Sequence, residues 1–181
     1  MKHKKKKTQF DQLYMEMFDK YFSCGQKALK MMLGSDYLEL YQSAIENKNF
    51  CHGKYHYHHI LMNQKKAVFV YNFNESHMNI QIVDIYLFLR KALEKNQWSM
   101  QIVIDFIEGY EEFLQLTPIE KSYLYILFLF PEKYWKIGNY YLNSKKNWLS
   151  KVNLGKLEKV YQQQNLRKEC LGALSDWAKI D

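Results

Sequence analysis

Cys51-His52-Gly53-Lys54-Tyr55-His56-Tyr57-His58-His59 is the stretch on which the reading of this chain turns, and it holds four of the chain's six histidines. It is bracketed by short apolar, partly β-branched runs: Phe50-Cys51 before it, then Ile60-Leu61-Met62 and Ala67-Val68-Phe69-Val70-Tyr71. Asn63-Gln64-Lys65-Lys66 reads as the turn between the last two. Imidazoles and a thiol at this density first suggest zinc, with His56, His58 and His59 joined by Cys51 or His52. The spacing fits no closed zinc framework, alternate residues of an extended segment point opposite ways, and Lys54 among them repels a dication. Histidine acid–base or nucleophilic catalysis lacks its partners: the segment has no serine, and no carboxylate before Glu75 is placed to orient an imidazole.

Outward from this loop the pattern is helical. Apolar residues recur at helical spacing from Phe10 to Leu33, with Gly25 marking a bend or a close helix contact. Gly34-Ser35-Asp36 reads as a stop and a new N-cap, followed by a helix with Tyr37, Leu40, Tyr41, Ala44 and Ile45 on one face. After the strand-like region helices resume near Ile82. Ser99 caps another, and Thr117-Pro118-Ile119-Glu120 has the capping-box pattern with proline at the first helical position. The apolar run Tyr123 to Phe130 stops at Pro131. At eight residues it is far short of the about 20 a membrane span needs. One last amphipathic helix is expected from about Trp148 toward Leu171. The region of residues 50–71 is the only strand-like one, and no internal repeat is present.

Composition agrees. Apolar residues make up 48% of the 181 and aromatics 17%, with only 7 Gly and 2 Pro. This excludes a disordered chain, and the scarcity of turn residues argues against an all-β sandwich or barrel. The net charge of +7 is mostly local: Lys2, Lys4, Lys5, Lys6 and Lys7 contribute +5 of it, leaving +2 for the remainder. Residues 1–7 are therefore expected to be a solvated, disordered tail able to touch polyanions, and residues 8–181 a single domain with no specific nucleic-acid surface. The Lys-rich start lacks a following apolar segment and is not a secretory signal. Cys24, Cys51 and Cys170, odd in number and widely spaced, suit free thiols in a reducing compartment, so a cytoplasmic origin is expected. The fold class from the residues is mainly α with a small β element.

The loop resembles the catalytic loop of kinase-like phosphotransferases, most closely the spore coat protein CotS family, which is related to aminoglycoside phosphotransferases. That family shows Cys-His-Gly-Asp-Tyr-His-Tyr-His-Asn, then a strand ending Ile-Asp-Phe. Further segments are similar in order: Gln9-Phe10-Asp11 and the run Ala28-Leu29 to Tyr37 upstream, then Val83-Asp84-Ile85-Tyr86-Leu87-Phe88-Leu89-Arg90-Lys91 and Phe130-Pro131-Glu132-Lys133-Tyr134-Trp135-Lys136 downstream. The likeness runs from about Thr8 to about Leu174. It implies the C-terminal lobe of a protein-kinase-like, aminoglycoside phosphotransferase fold. The strand lysine and Gly-rich loop that such folds use on nucleotide phosphates have no counterpart here, and the seven glycines are widely scattered.

The resemblance also assigns positions. His52, Gly53 and Phe73 match the family, and Asp84 matches a residue expected to brace the loop. The family's catalytic Asp is replaced by Lys54. Its Mg²⁺-holding Asn and Asp are replaced by His59 and Asn72. A lysine ammonium has three donors and no acceptor, so it is no base at neutral pH. Loss of a positioned base costs about 10²–10⁴ in rate, and a neutral amide lacks the charge that holds Mg²⁺ against its hydration shell. Glu75 is the one carboxylate close by in sequence and is not expected to rescue an ion site. The sequence thus predicts no catalytic residues, no cofactor and no metal. It predicts a structural or interaction protein of the spore coat, which meets other coat proteins or itself through an exposed cleft floor around Tyr55, Tyr57 and the adjoining strands. The alternative is half of a small-molecule or sugar phosphotransferase that needs a separate N-lobe.

Overall fold

Thr8 accepts a hydrogen bond from the backbone N–H of Asp11, and the Asp11 carboxylate accepts from the backbone N–H of Thr8, a capping box that starts helix α1 (Gln9–Leu33). The computed structural model describes residues 7–143 and 149–180; the tail expected at residues 1–7 lies, apart from Lys7, outside them. Seven further helices follow: α2 (Tyr37–Glu46), α3 (Ile82–Lys95), α4 (Met100–Glu111), α5 (Pro118–Leu129), α6 (Glu132–Asn143), α7 (Leu149–Gln162) and α8 (Gln164–Trp177). Four short strands stand between α2 and α3: β1 (Phe50–Cys51), β2 (Ile60–Met62), β3 (Val68–Val70) and β4 (His77–Met78). They form two antiparallel pairs, β1 with β4 and β2 with β3.

Helix α5 is buried nearly all round, at Tyr123, Leu124, Tyr125, Ile126, Phe128 and Leu129. The Thr117–Glu120 capping box is in place, with both reciprocal bonds formed. Around α5, the fully buried Leu89 and Leu93 of α3 and Leu174 of α8 build the larger core. A second core joins α1, α6 and α7 through stacked aromatic rings. Tyr14 lies 4.3 Å from Tyr134 between ring centroids, Tyr134 lies 4.5 Å from Tyr21, and Phe10 lies 3.8 Å from Tyr141. Among the described residues no helix is long and apolar enough to cross a membrane.

Three expectations are corrected. The single C-terminal helix is two, broken at Gln163 (φ −90°, ψ 0°). The break lets α7 pack on α1 and α6 while α8 turns to pack on α5 and α4, and the glutamines around it carry no breaker signal. The strand-like region extends beyond Tyr71, because His77–Met78 pairs with Phe50–Cys51; two residues are too few to show alternation. Asp36 and Ser99 stand at the starts of α2 and α4, but neither side chain makes a capping hydrogen bond. Gly25 faces Trp135 of α6 within ordinary contact distance, so it marks a helix contact.

Gly138 is where the second core is tightest. A Cβ there would lie 2.4 Å from the Tyr14 hydroxyl oxygen, and that ring is held between neighbours. Gly138→Ala is therefore expected to destabilise the fold by roughly 1–3 kcal/mol in urea or thermal unfolding, although alanine is the better helix former.

Candidate functional site

The loop after β1 is held by one carboxylate. Asp84, in the first turn of α3, accepts the backbone N–H of His52 at 2.6 Å through Oδ2 and that of Gly53 at 3.0 Å through Oδ1. Two consecutive amides on one carboxylate fix the direction in which the chain leaves the strand. Gly53 sits at φ +78°, and a Cβ on it would lie 2.2 Å from the Glu75 carbonyl oxygen, so the left-handed turn and the close approach both require glycine.

His52 is buried and its tautomer follows from its partners. The Lys54 N–H donates to Nδ1 at 3.1 Å, which leaves the proton on Nε2 to donate to the Tyr71 carbonyl at 2.8 Å. The imidazole thereby ties the loop to the end of β3. Its ring also lies 4.7 Å from that of Phe73, which begins a 3-10 turn, Phe73–Glu75.

Lys54, His59 and Asn72, the positions that the sequence resemblance marks as replaced, come together. His59 donates from Nδ1 to the Lys54 carbonyl at 2.8 Å, and its Nε2 accepts from the Asn72 amide at 3.0 Å. Asn72 adopts the left-handed conformation (φ 68°, ψ 56°), which asparagine tolerates better than most residues. The Lys54 ammonium turns to the Glu75 carboxylate and pairs with it. The two carboxylates expected to matter near the loop are thus both engaged: Asp84 by backbone amides, Glu75 by an ammonium. The Lys54–Glu75 pair is about half exposed on both sides and adds little to stability; its effect is on local charge.

The remaining histidines stack instead of converging on a point. The His56 ring lies 4.2 Å from that of His59 at 28°, and 5.5 Å from that of His58 nearly edge-on. Among the described residues no group of three or more His, Cys, Asp or Glu is arranged to hold a metal ion. Burial, then the charge of Lys91 and then the neighbouring imidazoles push His56 down to about 4. Cys51 is buried and free, its thiol raised to about 12 by burial and by Asp84. Tyr55 and Tyr57 are half-buried: Tyr55 leans on Phe88, and Lys95 covers the Tyr57 ring at 4.3 Å. The exposed apolar surface is carried instead by Leu61, Met62, Val68 and Phe69 of the β2–β3 hairpin, with Tyr71 and Phe73 beside them. Above Ile85 and Phe106, a hollow of about 370 Å³ is lined by His52, Tyr55, Phe73 and Asp84.

The model of the family described as spore coat putative kinase YutH matches residues 1–174. The chain belongs to that family. Within the wider group, Spore coat protein S of Bacillus subtilis (strain 168) is 23% identical over 141 residues, which is 77% of this chain and 40% of that protein. The fold matches the crystal structure of an aminoglycoside phosphotransferase from Alicyclobacillus acidocaldarius subsp. acidocaldarius DSM 446. The TM-score is 0.91 at 18% identity, covering 98% of this chain and 53% of that one. At that identity the likeness concerns the fold, and the fold is kinase-like. This YutH-family chain spans about two-fifths of the coat protein and about half of the phosphotransferase.

Two outcomes follow for this kinase-like loop. Asp84→Ala leaves two backbone amides without their acceptor and is expected to cost roughly 2–4 kcal/mol in denaturant unfolding, with Asp84→Asn intermediate. The second concerns pH. His56 titrates at 6.5 when unfolded and about 4 when folded, so the folded state binds fewer protons between those values. Its contribution is fully present above pH 6.5 and is lost as pH falls from 6.5 toward 4. His56→Phe should therefore flatten the fall of melting temperature across that window relative to the unmodified chain.

Proposed function

We propose that this chain serves the spore coat as a non-catalytic structural or interaction protein built on a kinase-like lobe. The observation that carries the reading is the closed set of bonds among the replaced positions. Where the family's pattern places a base and two metal-holding groups, His59 bonds to both the Lys54 carbonyl and the Asn72 amide. Asn72 donates an amide N–H to that imidazole, and as a neutral amide it lacks the charge that holds Mg²⁺ against its hydration shell. Lys54 offers a positive charge where phosphoryl transfer needs an acceptor for the hydroxyl proton. Its pairing with Glu75 also offsets the one added carboxylate. Lys54, His59 and Asn72 are thus each tied to a protein partner.

Location in the coat is supported by family membership and by the similarity to Spore coat protein S. The surface offered to partners is the β2–β3 hairpin with its exposed Leu61, Met62, Val68 and Phe69. Clustered exposed apolar side chains of this kind mark interaction sites. Other coat proteins or a second copy of this chain are the occupants that this reading assigns to it.

The test is nucleotide binding. Mg-ATP at millimolar concentration is expected to leave the melting temperature of the unmodified chain unchanged. A rise of several degrees that requires Mg²⁺ would overturn the non-catalytic reading in favour of a phosphotransferase. The combined variant Lys54→Asp, His59→Asn, Asn72→Asp should behave differently. It is expected to melt lower without metal, since a new carboxylate then faces Glu75, and to regain weak Mg²⁺ binding by calorimetry. A reversion variant with no response to Mg²⁺ would show that the three side chains are not what excludes the ion.

A further inference from the structure

The β2–β3 hairpin has two open edges, since each of its strands pairs only with the other. Ile60 stands opposite Val70, Leu61 opposite Phe69 and Met62 opposite Val68. At its ends the Tyr71 N–H donates to the His59 carbonyl at 3.1 Å and the Asn63 N–H to the Ala67 carbonyl at 3.1 Å. Hydrogen-bonded pairs alternate along an antiparallel ladder, so Leu61 and Phe69, midway between these two pairs, also bond to each other. The N–H and C=O groups of Ile60 and Met62 therefore point out along the β2 edge, and those of Val68 and Val70 along the β3 edge. Among the described residues, no backbone carbonyl outside the hairpin accepts from these four amides.

The β3 edge is self-complementary. Val68-Phe69-Val70 reads the same in both directions, whereas Ile60-Leu61-Met62 of the β2 edge does not. A two-fold axis through Phe69 lays β3 antiparallel on its own copy, with Val68 opposite Val70 and Phe69 opposite Phe69. Outward groups then meet outward groups: Val68 and Val70 of each copy exchange N–H and C=O with Val70 and Val68 of the other. Phe69 falls at the intervening pair without hydrogen bonds, where opposed side chains are closest and aromatic pairs are favourable. Val68 is 60% and Phe69 55% exposed, so neither is occupied by packing within the chain. The same axis carries the two turns that bear Lys65 and Lys66 to opposite ends of the paired strands, so the like charges stay apart.

We infer that the β3 edge is a self-association surface, on which a second copy of this chain adds its own β3 to form one antiparallel sheet in the order β2–β3–β3–β2. A lone two-stranded hairpin is marginally stable in water, and added strands with an apolar face stabilise it. The pairing sets Leu61 and Phe69 of both copies on a single face. Contact through so short a strand is small, so the dimer is weak and concentration-dependent. The inference rests on the reading of the hairpin as the partner surface and commits it to one occupant; it does not depend on whether the loop of residues 51–59 is catalytic.

Sedimentation velocity of the full chain, from micromolar to submillimolar concentration, is expected to show a monomer–dimer equilibrium. Phe69→Lys and Phe69→Glu each set two like charges on the axis and are expected to be monomeric, with melting temperatures close to that of the unmodified chain because the position is exposed. Mixing these two variants is expected to restore a one-to-one dimer, since opposite charges then meet. Val68→Pro removes an outward N–H without breaking a bond inside the hairpin, and is expected to weaken association about tenfold or more. Met62→Pro removes an outward N–H of the β2 edge and is expected to leave association unchanged. Three results would each overturn the inference: a chain that stays monomeric throughout, which leaves the edge to a different protein; a mixture of the charge variants that stays monomeric; or equal weakening by Met62→Pro and Val68→Pro. None of the three alters the response to Mg-ATP, so this inference and the non-catalytic reading fail separately.

Discussion

One carboxylate sets the geometry on which the rest of the site depends. Asp84 is fixed by the first turn of α3, a helix whose Leu89 and Leu93 are sealed in the core, and it receives the backbone amides of His52 and Gly53. Because the acceptor belongs to a rigid element, the loop inherits that element's position. His52 then passes the constraint to the end of β3 through its Nε2 proton. The Gly53 turn brings the chain against Glu75 closely enough that no side chain is accommodated. The kinase-like loop is therefore held by bonds among the protein's own groups.

Within that frame, the positions that the sequence resemblance marks as replaced bond to one another or to a neighbour. A lysine in place of an acid would leave a lone positive charge, but Glu75 meets it. His59 Nε2 and an Asn72 amide N–H meet in a hydrogen bond at 3.0 Å. Where the resemblance implies a pattern that attracts a dication, this chain carries an ion pair and a neutral hydrogen bond. Burial first, then the charge of Lys91 and the neighbouring imidazoles oppose protonation of His56 and push it down to about 4.

Much of this was legible in the sequence because it rests on local rules. Helix boundaries followed from apolar spacing, the Thr117–Glu120 box from its four residues, and the hairpin from β-branched runs around Asn63–Lys66. The loop's family likeness rested on Cys51-His52-Gly53 and on ordered segments as far as Lys136. Contacts that depend on tertiary placement were not legible. The His59–Asn72 bond joins residues 13 apart and exists only because Asn72 takes a left-handed conformation. Pairing of His77–Met78 with β1 is set by the loop's closure, not by any pattern in those two residues. The break at Gln163 falls among helix-compatible glutamines. Asn153 looks like any polar residue of an amphipathic helix until the packing of α6 against α7 buries it.

The central claim is that His59 and Asn72 bond to each other in place of a cation. The most direct measurement is the nitrogen NMR spectrum of the His59 ring and the Asn72 side-chain amide, titrated with Mg²⁺ and then with Mg-ATP. The account predicts a His59 ring carrying its proton on Nδ1, with both sets of resonances unmoved by either addition. A saturable Mg²⁺-dependent shift at Asn72, or loss of the Nδ1-protonated tautomer of His59 on adding Mg-ATP, would contradict it.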